Sequence, residues 1–486
     1  MNTSKTGGRS YFSREAAHLG TAIVHKVPAR GFGLLPKGIT HARIFSWLEK
    51  HLIVFVIGGL IAGIRVASVS QPVIDQVDSI INRFMDLYGF LAPVAIFLIL
   101  APSLARLFST RSMGRFGLFV IRWYALRKLL ASLWAIAFIL IVFRIPFLPQ
   151  GSVSLADGLG QTARSLGVMA STSPYFWAMY ASVFVGLVSI RVPSLARYLE
   201  KMLSVVESAD RYLMPVMPIF MFGIGAYVYG LPQNVGDQVG LGAEGSSILA
   251  SLNIWGWAIS PASATGMVTI YVLGSVLTAI ACFIWQYAFL LFARRIEPRL
   301  SIIGYFKSYW IKVYPLLWAT SFEALATPLN LYLTKKHAPW VRNEIRRFVI
   351  GVGSYMNING TLINVFILGA IVLLMLRINV SVVELLMIVP VVFLISYGVP
   401  GIPGELVLFA GPMATLLNIP PEVLPVFLAI YLGIQIGLPD SFRTGNNGTD
   451  DYIGAVMMNA VYEKRYALEG ERQQGTQEGA TAGTAR

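Results

Sequence analysis

Between residues 440 and 451 six polar side chains, Asp440, Arg443, Thr444, Asn447, Asp450 and Asp451, fall within about three helical turns. The steps from Asp440 to Arg443, Asn447 and Asp451 are three, four and four residues, so these four share one helix face. A guanidinium at Arg443 suits bidentate recognition of a carboxylate. Asp440 could hold an ammonium group. Asp451, with amide and backbone oxygens nearby, suits a dehydrated Na⁺, a hard cation that takes oxygen ligands. Two other readings stand beside this one: an internal Arg–Asp bridge that steadies a bundle, or a helix end emerging into the cytosol at Asp450 and Asp451. The apolar run Ile453–Ala460 continues after the cluster and weighs for the first reading.

The chain around this cluster is built for lipid. Of 486 residues 56% are hydrophobic and 13% charged, and the mean hydropathy is +0.65. A soluble domain has roughly 25% charged residues, so no soluble enzyme, fibre or disordered protein fits. The sequence reads as a polytopic membrane protein. The net charge of +14 is explained by Lys and Arg collecting in cytoplasmic loops, and nucleic acid is not an expected partner. The single cysteine, Cys282, allows neither an intrachain disulfide nor a Cys-based metal site, and the five His form no ligand spacing. No nucleophile–base pairing is visible, so an enzyme is not expected.

Residues 1–45 form a basic arm without a long apolar run or a cleavable signal, and read as cytosolic. Spanning candidates fall near 50–70, 88–107, 118–148, 174–194, 208–231 and 264–293. Connections at 106–128, 191–201 and 294–307 are rich in Lys and Arg, including Arg106, Arg111, Arg115, Arg122, Arg127 and Lys128, whereas those at 67–87, 149–173 and 233–262 are not. This alternation places the N-terminus inside, with six crossings over 46–300. The tail, 466–486, reads as disordered.

Beyond residue 300 the apolar segments are interrupted. Breaks are predicted at Ala326–Asn330, Met356–Thr361, Gly398–Gly404 and Pro439–Asp451, where Pro, Gly and Asn loosen a helix. Broken backbone at membrane depth is tolerated only where protein or a watery cavity satisfies it. The pairs 303–335 with 345–377 and 381–416 with 421–463 suggest a hairpin and a broken helix repeated in inverted order, making 301–465 one core. Ordinary kinks in a helical bundle are the plainer alternative.

The order of elements resembles the dicarboxylate/amino acid:cation symporter family, the bacterial and archaeal glutamate-transporter homologues. The family pattern Asp-x-x-Arg-Thr-x-x-Asn-x-x-x-Asp is met by Asp440, Arg443, Thr444, Asn447 and Asp451. Asn357-Ile358-Asn359-Gly360-Thr361 is similar to its Asn-Met-Asp-Gly-Thr, and Gly401-Ile402-Pro403-Gly404 to its outer hairpin tip. Tyr212–Phe220 is similar to its fifth-helix segment. The resemblance covers roughly 45–465. It implies an all-α fold of eight transmembrane helices and two re-entrant hairpins, working as an elevator in a homotrimer of the inner (plasma) membrane with both termini cytoplasmic. Helices one, two, four and five would be scaffold; three and six would move with the hairpins. The implied activity is symport of aspartate, glutamate or a C4-dicarboxylate with Na⁺ or H⁺, without a cofactor. A neutral amino acid on the same fold, or a passive anion channel or sensor, are the rival readings.

By that resemblance Arg443 binds a side-chain carboxylate and Asp440 the α-amino group. Thr361, Thr444 and Asn447 complete the pocket under the hairpin tip Gly401, Pro403 and Gly404. Backbone oxygens of Gly353, Asn357 and Asn447 with the Asp451 carboxylate make one Na⁺ site. Backbone at Tyr355, Ser396, Tyr397 and Val399 makes a second. Two departures stand out. The inner hairpin tip, Ser321–Pro328, lacks the family's serine run and carries Glu323, which either takes a proton, pairs with a basic side chain, or is an exposed acid. Asn359 replaces an aspartate used for a further Na⁺, and an amide supplies no charge, so that site is expected to be weak or absent.

Overall fold

Hydropathy and helix breakers together dictate long apolar helices in the first half of the chain and short paired ones after residue 300. The computed structural model describes residues 41–77, 114–148, 174–199, 217–238, 249–321, 323–378, 380–397, 406–417 and 422–466, with short pieces between them. The chain divides into two units, 1–48 and 49–486. Of the first, only the start of a helix is described.

In chain order the helices are α1 (His41–Ala67), α2 (Gly114–Phe143), α3 (Pro174–Ser189), α4 (Met217–Gln238) and α5 (Ala264–Ile296). Then come α6 (Ile311–Thr320), α7 (Glu323–His337), α8 (Asn343–Met356), α9 (Asn359–Met375), α10 (Val382–Ile395), α11 (Val407–Leu416), α12 (Leu424–Gln435) and α13 (Leu438–Arg465). The fold is mostly helical, but not wholly so. A short antiparallel hairpin, β1 (Leu252–Ile254) with β2 (Trp257–Ile259), precedes α5, and the turn at Trp255–Gly256 between them has positive φ at both residues. Among the described residues three stretches are long and apolar enough to cross a membrane: Arg115–Phe143, Ala264–Ile296 and the α8–α9 pair over Asn343–Met375. A fourth is the α12–α13 pair, bent by 57°. Of the expected span at 88–107 only 94, 97, 98, 101, 102 and 105 are described, all helical, and the fifth-helix residues 212–216 and the tail from 467 lie outside the described residues.

The breaks after residue 300 are sharper than composition alone suggests, and two lie elsewhere. The first reversal is at Ser321, which takes the left-handed conformation (φ 50°) and donates its N–H to Leu317 O at 2.8 Å, not at Ala326–Asn330. Pro328 sits inside α7, in its second turn. The last break is at Ile436–Gly437, where Gly437 has φ 88°; Pro439–Asp451 is continuous helix. Pro439 stands in the first turn, where its missing N–H leaves no gap, and the carbonyls of Asn446, Asn447 and Gly448 are bonded by neighbours, so these residues do not open the helix. The break between α8 and α9 falls at Asn357–Ile358, within the expected Met356–Thr361. The Gly398–Gly404 segment lies outside the described residues.

Helix α9 is the axis of the fold: apart from Leu374 each of its residues is buried, among α2, α5, α12 and α13. Small residues let other helices approach backbone to backbone. A Cβ at Gly63 of α1 would collide with Phe222 O of α4, and one at Gly225 of α4 with Leu60 O of α1. Gly63→Leu is therefore expected to destabilise the chain by about 1–3 kcal/mol through overpacking. Thermal unfolding of the detergent-purified protein reads this directly, and an unshifted midpoint would contradict the close α1–α4 packing.

Candidate functional site

The polar face of α13 runs through the centre of the bundle, and each of its groups meets a partner from a different element. Asp440, Arg443, Asn447, Asp450 and Asp451 are all 1% exposed or less. Neither carboxylate of the Asp450–Asp451 pair emerges into water.

At the upper end of this column Arg443 Nε donates to Asp440 Oδ1 at 2.7 Å, and Nη2 reaches the same oxygen. Arg443 Nη1 donates to Thr361 Oγ1 at 2.8 Å and stands 3.7 Å from Glu323 Oε1. Glu323 is thus not an exposed acid but a buried partner of Arg443. It gets there because the turn at Ser321 starts α7 deep in the bundle, where Ser321 Oγ lies 3.3 Å from Ser441 Oγ. Thr444 spends its hydroxyl on Asp440 O, one turn back at 2.8 Å.

Asn447 joins three elements. Its Oδ1 accepts the Gly360 N–H at 2.6 Å; its Nδ2 donates to Glu323 Oε1 (2.7 Å) and to Thr361 Oγ1 (3.0 Å). Gly360 must be glycine for this, since a Cβ would stand 2.6 Å from Arg443 O. The α8–α9 break therefore serves to bring a free helix N-terminus against α13.

One turn further along α13, Asp451 Oδ1 accepts from Asn357 Nδ2 at 3.1 Å, and the same amide donates to Asn447 O at 2.7 Å. Asp451 Oδ2 is buried and has no hydrogen-bond partner among the described residues. Gly353 lies so near that a Cβ there would overlap the Asp451 carboxylate. The Asp451 carboxylate thus has Oδ1 against Gly353 and the Asn357 amide, and Oδ2 left without a donor among the described residues; oxygen ligands of this kind are what hard cations take. No three His, Cys, Asp or Glu among the described residues converge as a transition-metal site would require.

Two further residues of the core come from a segment whose composition suggested a loop. Arg127 and Lys128 are not in a cytosolic connection; they lie within α2 and are 2% and 0% exposed. Arg127 Nη2 bonds Asp450 Oδ2 at 2.5 Å, Nη1 donates to Asn357 Oδ1 at 3.2 Å, and the guanidinium lies 3.6 Å from the Phe289 ring centre. Gln286 of α5 donates to the other Asp450 oxygen at 3.1 Å and to Thr449 Oγ1 at 2.6 Å. Lys128 Nζ donates to Ser396 O at 3.2 Å and sits 3.7 Å from the centre of the Tyr397 ring. The signal was in the sequence: an apolar run, Leu118–Ile121, precedes the pair, so the helix begins before it. Of the remaining expected residues, Val399, Gly401, Pro403 and Gly404 lie outside the described residues, as does the Tyr355 side chain.

With this geometry in place, comparison with known proteins bears on one stretch. Residues 247–461 match the model of the Sodium:dicarboxylate symporter family. That is the family the motifs resemble, and the matched stretch holds α5 to α13 up to residue 461, the whole polar column of α13 included. No curated protein matches the chain. The family match and the apolar helices together support a multi-pass membrane protein of the symporter type.

Asp450 tests the electrostatics of this core. Removing one member of a buried ion pair costs roughly 3–5 kcal/mol, because the other charge is left uncompensated. Arg127→Met is expected to lose stability on that scale, and Arg127→Met with Asp450→Leu to recover most of it. Chemical denaturation of the three proteins checks the coupling; equal losses in the single and double variants would refute the pair.

Proposed function

We propose that the protein is a secondary active symporter that carries an acidic amino acid or a C4-dicarboxylate inward together with Na⁺ or H⁺. The observation that supports this reading most is Arg443, a guanidinium wholly buried at the meeting point of α13, the start of α9 and the tip between α6 and α7. Burying such a charge in a spanning protein is costly, and intramembrane charges of this kind mark solute pathways. An incoming carboxylate would replace part of the Arg443 shell, with Thr361 and Asn447 as neutral donors and Asp440 freed to take an α-ammonium. A Na⁺ at Asp451, held with the carbonyls of Gly353 and Asn447, would offset the carboxylate and favour closure of the outer hairpin. Coupling then arises because ion and solute each bind better when the other is present.

The wider arrangement is part of the same proposal. Residues 301–465 form a moving core with α2 and α5, α1 and α4 belong to a scaffold, and the chain works as a trimer in the inner membrane with both termini in the cytoplasm. A second reading has its own support. Two acids, Asp440 and Glu323, already face Arg443, which suits a neutral amino acid, with Arg443 used internally.

Uptake into vesicles separates the two. On the acidic reading aspartate, glutamate or succinate competes with the carried solute; if all three fail against a neutral amino acid, the second reading stands. Arg443→Ala is expected to abolish binding of acidic solutes, since the lost charge-assisted bonds are worth about 1.5–3 kcal/mol each. Unchanged affinity would remove Arg443 from the pocket. Asp451→Asn is expected to shift the Na⁺ activation curve of uptake to higher concentration while the order of preferred solutes is kept, and superimposable Na⁺ curves would exclude the ion role.

A further inference from the structure

Arg127 and Lys128 are consecutive on α2, so their side chains leave the helix about 100° apart and enter two different places in the core. Each place is one where a positive charge is called for. Arg127 lies between Asp450 and the α8–α9 break, and the Asn359 amide is within 3.1 Å of its Nη2 when the amide oxygen is turned toward it. The family resemblance implies an aspartate at this position, where the chain has Asn359. The missing negative charge and the added positive charge are neighbours.

Lys128 sits at the C-terminal end of α10, where helix carbonyls lack partners and carry partial negative charge. Its ammonium takes the Ser396 carbonyl on one side and the Tyr397 ring face on the other. Carbonyl oxygens and an aromatic face are the surroundings that stabilise a desolvated monovalent cation. Here the cation is covalently part of the chain.

The balance of buried charge around the breaks points the same way. Arg127, Lys128 and Arg443 are positive; Glu323, Asp440, Asp450 and Asp451 are negative; all seven are nearly inaccessible. Four of these acids and bases are close ion-pair partners, Arg127 with Asp450 and Arg443 with Asp440. Among these seven described residues one negative charge is in excess, and Asp451 Oδ2 is a buried carboxylate oxygen to which no described residue donates. A single monovalent cation there makes the buried set neutral.

We propose that Arg127 and Lys128 are resident cations that stand where mobile ions would otherwise bind, so that the core takes one Na⁺ per cycle, at Asp451. This rests on the symporter reading above and fixes its ion count. Both residues are positioning residues: they touch the ion-binding backbone and Asp450, not the solute.

The test is Na⁺ titration of the purified, solute-free protein in detergent at constant ionic strength with choline, read by calorimetry and by the thermal midpoint. The wild type is expected to bind Na⁺ at one site, with a Hill coefficient of about one, and Asp451→Asn to bind none. Lys128→Met, which keeps the apolar stem and removes the charge, is expected to gain a second Na⁺ site and a Hill coefficient of about two. Asn359→Asp is expected to gain none, because Arg127 already faces that position. Two or more sites in the wild type, no site at all, or a Lys128→Met protein that still binds one ion overturns the proposal. Should Lys128→Met not fold, the wild-type and Asp451→Asn site numbers decide it. One Na⁺ bound without uptake of any acidic or neutral amino acid in vesicles would overturn the symporter reading while leaving the ion count intact.

Discussion

A carboxylate in the middle of a membrane protein needs a positive partner within a few ångströms, and this requirement organises the core. Asp450 and Asp451 are adjacent on α13, each buried, and each would be costly alone. Arg127 and Gln286 meet Asp450 from α2 and α5. The helices that pack on α13, among them α5, α7, α8 and α9, are held where they are because each brings polar groups to its polar face. Tyr305 OH donates to Thr449 O, and Asn330 donates to Gly448 O while accepting from Tyr309 OH. With these partners satisfied, a helix rich in Asn, Gly and Asp stays helical inside an apolar protein.

The paired short helices follow from the same constraint. A continuous helix satisfies its own backbone and has little to offer a polar side chain. The α8–α9 break exposes the Gly360 N–H to Asn447, and the left-handed turn at Ser321 starts α7 with Glu323 facing Arg443. Backbone geometry and side-chain chemistry are thus interlocked: the breaks supply what α13 requires, and α13 fixes where the breaks can be.

Much of this was legible in the residues. The 3-4-4 spacing on α13 and the apolar run after it pointed to a buried polar face. The run Asn357–Thr361 marked a true break, because Asn and Gly there cannot be exchanged for better helix formers without loss of contacts. What misled was local composition read without its partners. Pro328 and Pro439 looked like breakers, yet one sits inside α7 and the other in a first turn, where a proline fits. Asn446–Gly448 looked loose, yet neighbours from α5 and α7 bond the carbonyls of Asn446 and Gly448. Arg127 and Lys128 looked like loop charges, because a count of Lys and Arg cannot tell a solvated side chain from one that answers an aspartate 323 residues away.

The adjacency of Arg127 and Lys128 has a mechanical side. One residue is tied to α13 through Asp450, the next to the end of α10 through Ser396, and no rotatable backbone lies between them beyond a single helical step. Sliding or turning α2 alone would break both ties together, so two neighbouring side chains fasten α2 to α10 and to α13 at one level of the core.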